Sequence, residues 1–406
     1  MGLILPEPSS GITLRLARDL VRVLKRGNPW VFREALRSCP AAAPGTPAVL
    51  LDNKRGRPVA CGIYDSTSPV AFRACEVDDP DRPLDDRWAA EQFQLAWQLR
   101  RSLFVEATTQ PAPTTAFRLL NGEGDSVPGL VVDVYSDTAV IKLDGAGPSG
   151  FWNAAGIASW LASEVGVRSV VERPRDRDAD ARVLLGEPPA GPVAFRENGL
   201  RFTADVLRGQ KTGFFLDQRD NRQLIRRFAA GRTVLNLFGY TGGFSVYGGA
   251  GGARQVTTVD VAAPAVAASR ENWLLNQLPA AQHTAVAADA FEFLADARRR
   301  ADRWDLVISD PPSFAPSQAA LDKAHAAYEK LAADCAAVTA QHGLLALASC
   351  SSHVDMATFL RLIEEGISSS RRRATVLAVH SQPPDHPTPL ALPEFQYLKF
   401  VLMRIE

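Results

Sequence analysis

The sequence predicts an α/β protein whose C-terminal half is a doubly wound, mostly parallel sheet. Two observations predict this class. From about residue 193, apolar runs typical of strands alternate with amphipathic runs typical of helices. Three successive strand candidates of this half then end in an aspartate, at the edge where open parallel sheets bind ligands. The earlier residues lack this alternation, so we expect smaller domains of another kind before it.

The N-terminal half divides into two zones. Up to about residue 78, short β-type runs are separated by Pro, Gly and Asn, which predicts a small β domain. Residues 79–190 mix helix candidates at 85–104 and 151–165 with strand candidates, which predicts an α+β middle domain. The predicted domains are therefore 1–78, 79–190 and 191–406.

Seven strand candidates make up the sheet of the third domain. The amphipathic segments between them have the length of crossover helices, which favours parallel pairing. The candidates are 233–238, 255–260, 283–289, 304–310, 343–349, 374–380 and 397–405.

The composition excludes several classes of protein. The chain has 406 residues, 46% of them hydrophobic, with Lys plus Arg and Asp plus Glu balanced at 45 each. Five cysteines without C-x-x-C spacing argue against a disulfide framework and against a zinc site, so we expect no metal. No signal peptide and no apolar run of membrane-spanning length is present, so we expect a cytoplasmic protein without a membrane partner.

Local charge is more informative than net charge. Basic residues dominate 11–37 and 208–232, and an acidic stretch, 76–86, lies between them. This asymmetry is compatible with binding a polyanion on two separate faces. Ordinary solvated charge explains either stretch equally well.

The residues that follow the strands predict a nucleotide-like ligand. The first strand runs into Gly239, Tyr240, Thr241 and two more glycines, where the backbone can approach a ligand closely. Asp260, about 20 residues on, stands where an acid binds ribose hydroxyls. Asp289 and Asp310 end the next two strands, although aspartate at these positions also caps helices.

The kind of ligand follows from two missing motifs. The chain has no G-x-x-x-x-G-K-[ST], which argues against ATP or GTP hydrolysis. The glycine spacing after the first strand is not G-x-G-x-x-G, which argues against the pyrophosphate of a dinucleotide. A ligand with a ribose and no phosphates fits better, and S-adenosylmethionine is such a ligand.

The stretch LLALASCSSH, at 344–353, ends a strand on the thiol of Cys350. Taken alone, this thiol is more typical of a small buried hydrophobe. A Cys–His protease would pair it with His353, but such dyads are usually built from residues distant in sequence. Because the strand lies beside a predicted cofactor site, we favour a nucleophile. His353 more simply starts a helix together with Asp355.

Four stretches together are similar to one family. NLFGYTGGFS, VTTVD, DPPSF and ASCSS resemble the RlmI-type large-subunit rRNA (cytosine-C5) methyltransferases. GQKTGFFLDQRDNR resembles the start of that family's catalytic domain, and RLARDLVRVLKRGNPWVFREAL resembles its N-terminal PUA domain. The resemblance implies a class I, Rossmann-like methyltransferase domain, S-adenosyl-L-methionine as cofactor and large-subunit rRNA, or its assembly particle, as partner.

The resemblance also implies site residues. Cys350 would be the nucleophile and Asp310 the acid that hydrogen-bonds the cytosine, while Pro311, Pro312 and Phe314 would lie beneath the target base. The residues implied to bind the cofactor are Phe215, Asp217, Arg219, Asn236, Phe238, Gly239, Tyr240, Gly242, Asp260, Asp289, Ala290 and Asp310.

Two alternatives stay open. A related guanine-N7 rRNA methyltransferase shares the DPP-S-F motif but needs no thiol, so Cys350 favours cytosine. A non-catalytic rRNA-binding assembly factor would keep the fold, and the glycine-rich segment SVYGGAGGA predicts a short or loose helix in the cofactor motif. The rRNA position, the use of naked RNA or a particle, the base that takes the carbon-5 proton, and the oligomeric state, a homodimer included, are left open.

Overall fold

Two units divide the chain. The computed structural model describes residues 2–5, 11–105, 113–174, 179–315 and 317–406. Unit 1 comprises Met1–Gly199, Thr203–Leu216 and Pro384–Pro393, and unit 2 comprises Leu200–Phe202, Asp217–Pro383 and Glu394–Glu406. Unit 1 holds both N-terminal sheets, and unit 2 holds the C-terminal sheet.

The first sheet of unit 1 is mostly antiparallel. Its elements are β1 Ile12–Arg15, α1 Val21–Lys25, β2 Trp30–Phe32, β3 Thr46–Leu51, β4 Pro58–Tyr64 and β5 Val70–Glu76. The strands lie in the order β1-β3-β4-β5-β2, and only β1 with β3 is a parallel pair. Leu14, Leu50 and Phe72 are among the apolar side chains buried in its core. This is the small β fold that the sequence predicts.

The second sheet of unit 1 carries helices. Its elements are α2 Asp86–Arg100, β6 Ala116–Asn121, β7 Leu130–Tyr135, β8 Thr138–Leu143, α3 Ala146–Phe151, α4 Ala154–Trp160, β9 Ser169–Glu172 and β10 Arg182–Leu185. The strand order is β10-β9-β8-β7-β6. Asp85 caps α2 by accepting a 2.9 Å hydrogen bond from Trp88 N. Trp88 stacks on Trp152 with ring centroids 5.8 Å apart, which joins α2 to the segment after α3.

The helix predicted over 151–165 is confirmed from Ala154 to Val165, where its last five residues form a π-helical turn, but the three residues before Ala154 lie outside it. The chain forms α3, which ends at Phe151, and then α4, which begins at Ala154. Trp152 is extended and buried, and Asn153 caps α4 by accepting a 3.2 Å bond from Gly156 N. The break follows because asparagine is a favoured N-cap, while the apolar pattern continues through both helices.

Unit 1 contains a fully neutralised buried cation, Arg100. Its guanidinium donates two 2.7 Å hydrogen bonds to the two carboxylate oxygens of Asp125. The remaining donors reach the carbonyls of Ala96, Arg118 and Asp385 at 3.4, 2.8 and 2.8 Å. All five N–H groups of the side chain are therefore used, which is what burial of a guanidinium requires.

The sheet of unit 2 has seven strands. Its order is β15-β14-β13-β16-β17-β19-β18, with β19 antiparallel to both of its neighbours. A hairpin of β11 Val193–Glu197 and β12 Leu200–Ala204 precedes it. The elements are α5 Arg219–Phe228, β13 Thr233–Leu237, α6 Gly243–Ala250, β14 Gln255–Asp260, α7 Ala263–Leu275, β15 His283–Ala287, α8 Ala290–Arg300, β16 Trp304–Ser309, α9 Leu321–Val338, β17 Thr339–Ser349, α10 Met356–Ser369, β18 Ala374–His380 and β19 Lys399–Ile405.

Helices cover both faces of this sheet, so its central strands are apolar on both sides. Leu235, Val307 and Leu345 lie in one buried cluster, which includes residues of α8, α9 and α10. Their neighbours Val234, Leu306 and Leu344 lie in the other, with residues of α5, α6 and α7. The predicted doubly wound fold and all seven strands are confirmed, and their ends differ from the prediction by a few residues.

The glycine-rich helix α6 is short, as expected, but it is not loose. Most of its residues are buried. A Cβ on Gly249 would lie 2.4 Å from the ring of Trp273, and a Cβ on the C-cap residue Gly251 would lie 2.3 Å from the carbonyl oxygen of Arg226. The glycines therefore allow α6 to pack closely against α5 and α7.

The two basic stretches differ in exposure. In 11–37, the side chains of Arg18, Arg22, Lys25 and Arg26 are exposed. In 208–232, Arg219 and Arg222 are buried, so the prediction of a basic face there is wrong for these two residues.

The described residues include no helix suited to span a membrane and no cluster suited to hold a metal ion. None of their helices combines the length and apolar character needed to cross a membrane. No group of three or more His, Cys, Asp or Glu side chains among them is placed to hold a metal ion.

Candidate active site

The loop between β13 and α6 has a strained backbone. Phe238 and Tyr240 both lie in the left-handed region, with φ of 55° and 46°. Bulky residues rarely adopt this conformation, and each costs about 1–3 kcal/mol unless the surroundings impose it. Asp260 helps to impose it, because its Oδ2 accepts a 2.8 Å hydrogen bond from Tyr240 N. Such strain clusters at functional sites.

Two glycines of this loop are required by its close packing. A Cβ on Gly239 would lie 2.5 Å from Cγ2 of Thr258 in β14. Gly242 has a φ of +81°, and a Cβ there would lie 2.8 Å from Cβ of Ser269 in α7. The loop therefore lies tightly against β14 and α7.

Buried polar atoms at the start of this loop point to a ligand. Asn236 in β13 donates a 2.9 Å bond from Nδ2 to Ser245 Oγ. Its Oδ1 is buried and accepts no hydrogen bond from the described residues, and the same holds for Thr241 Oγ1. Leaving a buried acceptor unpaired costs about 1–3 kcal/mol. The hydroxyl and ammonium donors of S-adenosylmethionine are of the kind that would satisfy these atoms.

Asp260 and Asp289 lie at the carboxyl ends of two neighbouring strands. The β14–β15 ladder pairs Asp260 with Ala287. Asp260 Oδ1 accepts a 2.9 Å bond from Ala262 N. Asp289 caps α8 by accepting bonds of 2.9 and 3.1 Å from Phe291 N and Glu292 N, and the buried Ala290 begins that helix. The capping role of Asp289 is therefore real, and its second carboxylate oxygen is the one a ligand would contact.

Asp310 is held by a chain of buried amides. Gln218 Nε2 donates a 2.9 Å hydrogen bond to Asp310 Oδ2, and Asn221 Nδ2 donates a 2.6 Å bond to Gln218 Oε1. Asn221 Oδ1 in turn lies 3.2 Å from Nδ1 of His380 in β18. Because Gln218 and Asn221 are themselves buried, the orientation of the Asp310 carboxylate is fixed from α5 and the turn before it.

The three predicted cofactor-binding residues at and before the start of α5, Phe215, Asp217 and Arg219, have different surroundings. Asp217 is buried, and its Oδ2 accepts a 2.7 Å bond from Tyr397 OH. Arg219 is buried and lies 3.6 Å from the carboxylate of Asp220. Phe215 belongs to unit 1, where its ring lies 4.5 Å from the ammonium of Lys211. The other predicted site residues belong to unit 2.

The loop after β17 is tied to the loop after β16 through Ser351. Ser351 Oγ lies 2.9 Å from Ser313 Oγ and 2.8 Å from the phenol of Tyr328 in α9. Tyr328 OH also accepts a 2.8 Å bond from Ser349 Oγ. Cys350 is the half-buried residue between these two anchored serines. Its backbone position relative to Asp310-Pro311-Pro312 is therefore fixed from both sides.

The three residues predicted to lie beneath the target base, Pro311, Pro312 and Phe314, differ in exposure. Pro311 is buried and Pro312 is exposed. Phe314 is partly buried, with its ring 4.9 Å from that of Tyr328. This loop and the Cys350 loop therefore share Tyr328 as a support.

His353 does not complete a dyad. Its side chain is exposed in the turn that follows Cys350. Asp355 begins the next helix, since its Oδ1 accepts a 2.7 Å bond from Thr358 N as the N-cap of α10. The expectation that His353 starts a helix together with Asp355 is therefore confirmed for Asp355 and wrong for His353, which lies in the turn before the N-cap.

Three residues of this site were not identified from the sequence: Gln218, Tyr328 and Lys399. Lys399 is buried at the start of β19, and its ammonium donates bonds of 2.5 and 2.7 Å to the carbonyls of Ser351 and Tyr397. Burial lowers the pKa of Lys399 to about 8, while the nearby Cys350 and Asp355 raise it. The available signal was a single lysine in an otherwise apolar strand, YLKFVLMRI.

Comparison with known proteins agrees with this architecture. The sequence profile of the S-adenosylmethionine-dependent methyltransferases matches residues 151–353, and that of the PUA-like domains matches residues 14–75. The chain is 38% identical to a ribosomal RNA large subunit methyltransferase of Deinococcus radiodurans, over 97% of this chain and 98% of the relative. It is 30% identical to ribosomal RNA large subunit methyltransferase I of Aeromonas salmonicida, over 97% and 99%.

Solved structures agree as well. A putative SAM-dependent methyltransferase from Streptococcus mutans superposes with a TM-score of 0.83 at 25% identity, covering 97% of this chain and 100% of that one. A structure of a putative methyltransferase complexed with SAH gives the same TM-score, identity and coverage. The strained loop, the buried acceptors and these matches together show that the chain belongs to the S-adenosylmethionine-dependent methyltransferases, in the RlmI-type family of ribosomal RNA large subunit methyltransferases with an N-terminal PUA-like domain.

Proposed function

We propose that the protein methylates carbon-5 of a cytosine in large-subunit rRNA, with Cys350 as the nucleophile and Asp310 as the acid. The family supplies the methyl donor and the class of RNA. The observation that carries the finer assignment is the 2.9 Å contact between Ser313 and Ser351, which ties the thiol's loop to the Asp310 loop. A thiol and a carboxyl group on two loops that are joined in this way suit a base that needs covalent activation.

The chemistry explains why a thiol is needed. Carbon-5 of cytosine is too weak a nucleophile to take a methyl group directly. Addition of the Cys350 thiolate to carbon-6 forms a C–S bond and moves electron density to carbon-5. Carbon-5 can then attack the methyl group that bound S-adenosylmethionine supplies. Loss of the carbon-5 proton and expulsion of the thiolate restore the ring.

Asp310 would act on the other edge of the base. As the thiolate adds, negative charge builds on the ring nitrogen and carbonyl side of cytosine. A protonated carboxyl at Asp310 can hydrogen-bond that edge and stabilise the charge. The bond from Gln218 to Asp310 Oδ2 orients this carboxyl group from the chain of buried amides. Cytosine reaches such a pocket only from unpaired RNA or after leaving its stack.

We assign S-adenosylmethionine to the β13–α6 loop and to the ends of the strands β14 and β15. Asn236 and Gly239 would contact its amino-acid part or ribose, Asp260 the ribose hydroxyls, and Asp289 with Ala290 the adenine. The assignment of the ribose to Asp260 is supported by the chemistry of a carboxylate, which can accept hydrogen bonds from both ribose hydroxyls.

RNA would be held by the predicted domains at 1–78 and 79–190. Exposed Arg18, Arg22, Lys25 and Arg26 lie on and around α1, within the PUA-like region. Their charges suit phosphate contacts, which position an RNA without reading its sequence. A protein with this substrate would work in the cytoplasm, where rRNA is made into ribosomal particles.

Trapping the covalent adduct tests the proposal. A large-subunit rRNA transcript carrying 5-fluorocytosine should form a stable protein–RNA adduct in the presence of S-adenosylmethionine, because fluorine on carbon-5 cannot leave as a proton. Cys350→Ala should form no adduct and lose about three orders of magnitude in methyl transfer or more.

Cys39→Ala is the matched control, since Cys39 is also half-buried but lies in unit 1. It should trap as well as the wild type. Methyl transfer to ordinary RNA without any adduct on the fluorinated RNA would contradict the cytosine-C5 assignment and favour guanine-N7. Absence of S-adenosylmethionine binding would favour an assembly factor.

A further inference from the structure

Lys399 is an unusual residue for the centre of a sheet. Its side chain is 2% exposed, and lysine is almost never fully buried unless it is paired. Within the described part of the chain it makes no ion pair with a carboxylate. Its ammonium is held by two carbonyl oxygens, of Ser351 and Tyr397, at 2.5 and 2.7 Å. The positive charge is therefore solvated by dipoles but not cancelled.

The position of this charge relative to Cys350 follows from the strand register. The β17–β19 ladder pairs the backbone of Lys399 with that of Ser349. The ammonium then reaches the carbonyl of Ser351, two residues further on. Cys350 is the residue between these two contacts. Lys399 therefore holds the thiol's segment at both ends and brings its charge to the same loop.

We propose that Lys399 is a positioning residue for the Cys350 nucleophile, whose ammonium holds the thiol's loop and stabilises the thiolate electrostatically. This inference rests on the proposed function of Cys350. The thiol loses its proton to solvent, and Lys399 keeps its own, so no proton passes between them. Opposite charges a few ångströms apart commonly favour the ionised form of a group by about one to three pH units.

The charged and titratable groups around Lys399 are consistent with this role. Cys350 and Asp355 each favour its protonated form, and burial opposes them, so that its pKa is about 8. At neutral pH the ammonium is thus the major form. Tyr328 of α9, which is hydrogen-bonded to Ser349 and Ser351, is kept neutral because burial raises its pKa. On the neighbouring β18, His380 contacts Asn221 at 3.2 Å.

Lys399 does not need to touch the substrate to act in this way. Its small exposed fraction and its two carbonyl contacts direct the ammonium into the protein. The residue would therefore act through Cys350. A direct role as the base that takes the carbon-5 proton would require an exposed, neutral amine, which this geometry disfavours.

The pH profile of thiol alkylation tests the proposal on the full-length protein. Wild type, Lys399→Met and Lys399→Arg are treated with iodoacetamide across a pH series, and alkylation of the peptide that holds Cys350 is followed by mass spectrometry. In Lys399→Met the midpoint of the rate profile should move up by about one pH unit or more, because the cation is lost. Lys399→Arg keeps the charge and should restore a profile close to that of the wild type.

A midpoint unchanged in Lys399→Met would overturn the proposal. Circular dichroism establishes that each variant is folded. Cys39 provides the internal control, because its alkylation profile in the same samples should not move. A shift at both cysteines would indicate general unfolding and would also count against a specific charge effect.

A second measurement does not depend on Lys399 variants folding. In protein labelled with ¹³C at lysine Cε, Lys399 should titrate near pH 8, apart from the other six lysines. Coupling between two sites is reciprocal. Cys350→Ser removes the thiolate, so the Lys399 titration should move to lower pH. An unchanged titration would show that the two groups are not coupled.

These readouts are separate from the test of the function. Alkylation and NMR use the protein without RNA, whereas adduct trapping needs RNA and S-adenosylmethionine. Trapping without a shift in Lys399→Met would retain the nucleophile and reject its positioning residue. A shift without trapping would retain the coupling and reject cytosine-C5 chemistry.

Discussion

Arg100 in unit 1 and Lys399 in unit 2 are both buried cations, but their surroundings differ. Arg100 forms a two-bond ion pair with Asp125 and uses its remaining donors on carbonyls. Lys399 contacts two carbonyls and, among the described residues, forms no ion pair. Arg100 is neutralised where it lies, whereas the charge of Lys399 remains available to its neighbours.

The difference separates a structural cation from a functional one. A buried charge that forms no direct ion pair destabilises the fold, and such groups are found at functional sites. The pKa of Lys399, lowered to about 8 by burial, records this cost. Burial of Arg100 is compensated by Asp125, so the fold loses free energy only when one member of this ion pair is removed. We therefore expect a substitution at Arg100 to lower the free energy of unfolding, and a substitution at Lys399 to change how that free energy depends on pH.

The largest expected effect is on stability, at Arg100. Arg100→Met should lower the free energy of unfolding by about 3–5 kcal/mol, because the buried Asp125 carboxylate loses its counter-ion. Urea unfolding followed by tryptophan fluorescence measures this. Arg101→Met, at the exposed neighbouring position, should change stability by less than about 0.5 kcal/mol. If Arg100→Met were as stable as the wild type, Arg100 would not be a structural cation, and its contrast with Lys399 would be lost.

A smaller effect is expected in the pH dependence of stability at Lys399. Its folded pKa, about 8, lies below the ordinary 10.5, so the unfolded chain binds more protons between these values. Stability contributed by this residue is therefore lowest below pH 8 and rises as the pH increases toward 10.5. Relative to Lys399→Met, the wild type should gain up to about 3 kcal/mol from pH 7 to 10.5.

Paired urea titrations of the two proteins at several pH values check this sign. Other groups titrate in both proteins, so their contributions cancel in the difference. A difference that falls with pH, or stays flat, would show that the buried ammonium is not destabilised, and the contrast with Arg100 would then be lost.

The smallest effect is expected at Tyr397. Tyr397→Phe removes the hydroxyl that donates to Asp217 but keeps the backbone carbonyl that binds Lys399. Stability should fall by about 1–2 kcal/mol, as for one hydrogen bond to a charged group. The alkylation profile of Cys350 should stay in place. A shift as large as that of Lys399→Met would mean that the side chain, rather than the backbone, positions the ammonium.

The strands of unit 2 and the residues at their carboxyl ends were predictable from the sequence. The seven strands follow from apolar runs, and the placement of Asp260, Asp289 and Asp310 follows from the strand ends. These are local signals, because a strand's end fixes which side chain meets the ligand edge. The break at Asn153 was missed because the apolar pattern alone continues across it.

Contacts between segments distant along the chain were not predictable. Gln218 reaches Asp310 across 92 positions, and Lys399 reaches Ser351 across 48. Nothing near Gln218 in sequence indicates an aspartate to orient. Burial of Arg219 and Arg222 was missed for the same reason, since a basic stretch is usually solvated and only the packing of α5 shows which members are not.

The antiparallel direction of β19 has a consequence for how this site can vary. Parallel strands supply residues that follow them, but β19 supplies the residue with which it begins. The place of Lys399 is therefore set by the pairing of Ser349 with Lys399 in the ladder. A slip of one position would present Leu398 or Phe400 instead and reverse the strand's faces. The hydrogen-bond register of the last strand thus determines whether a cation reaches the backbone on either side of Cys350.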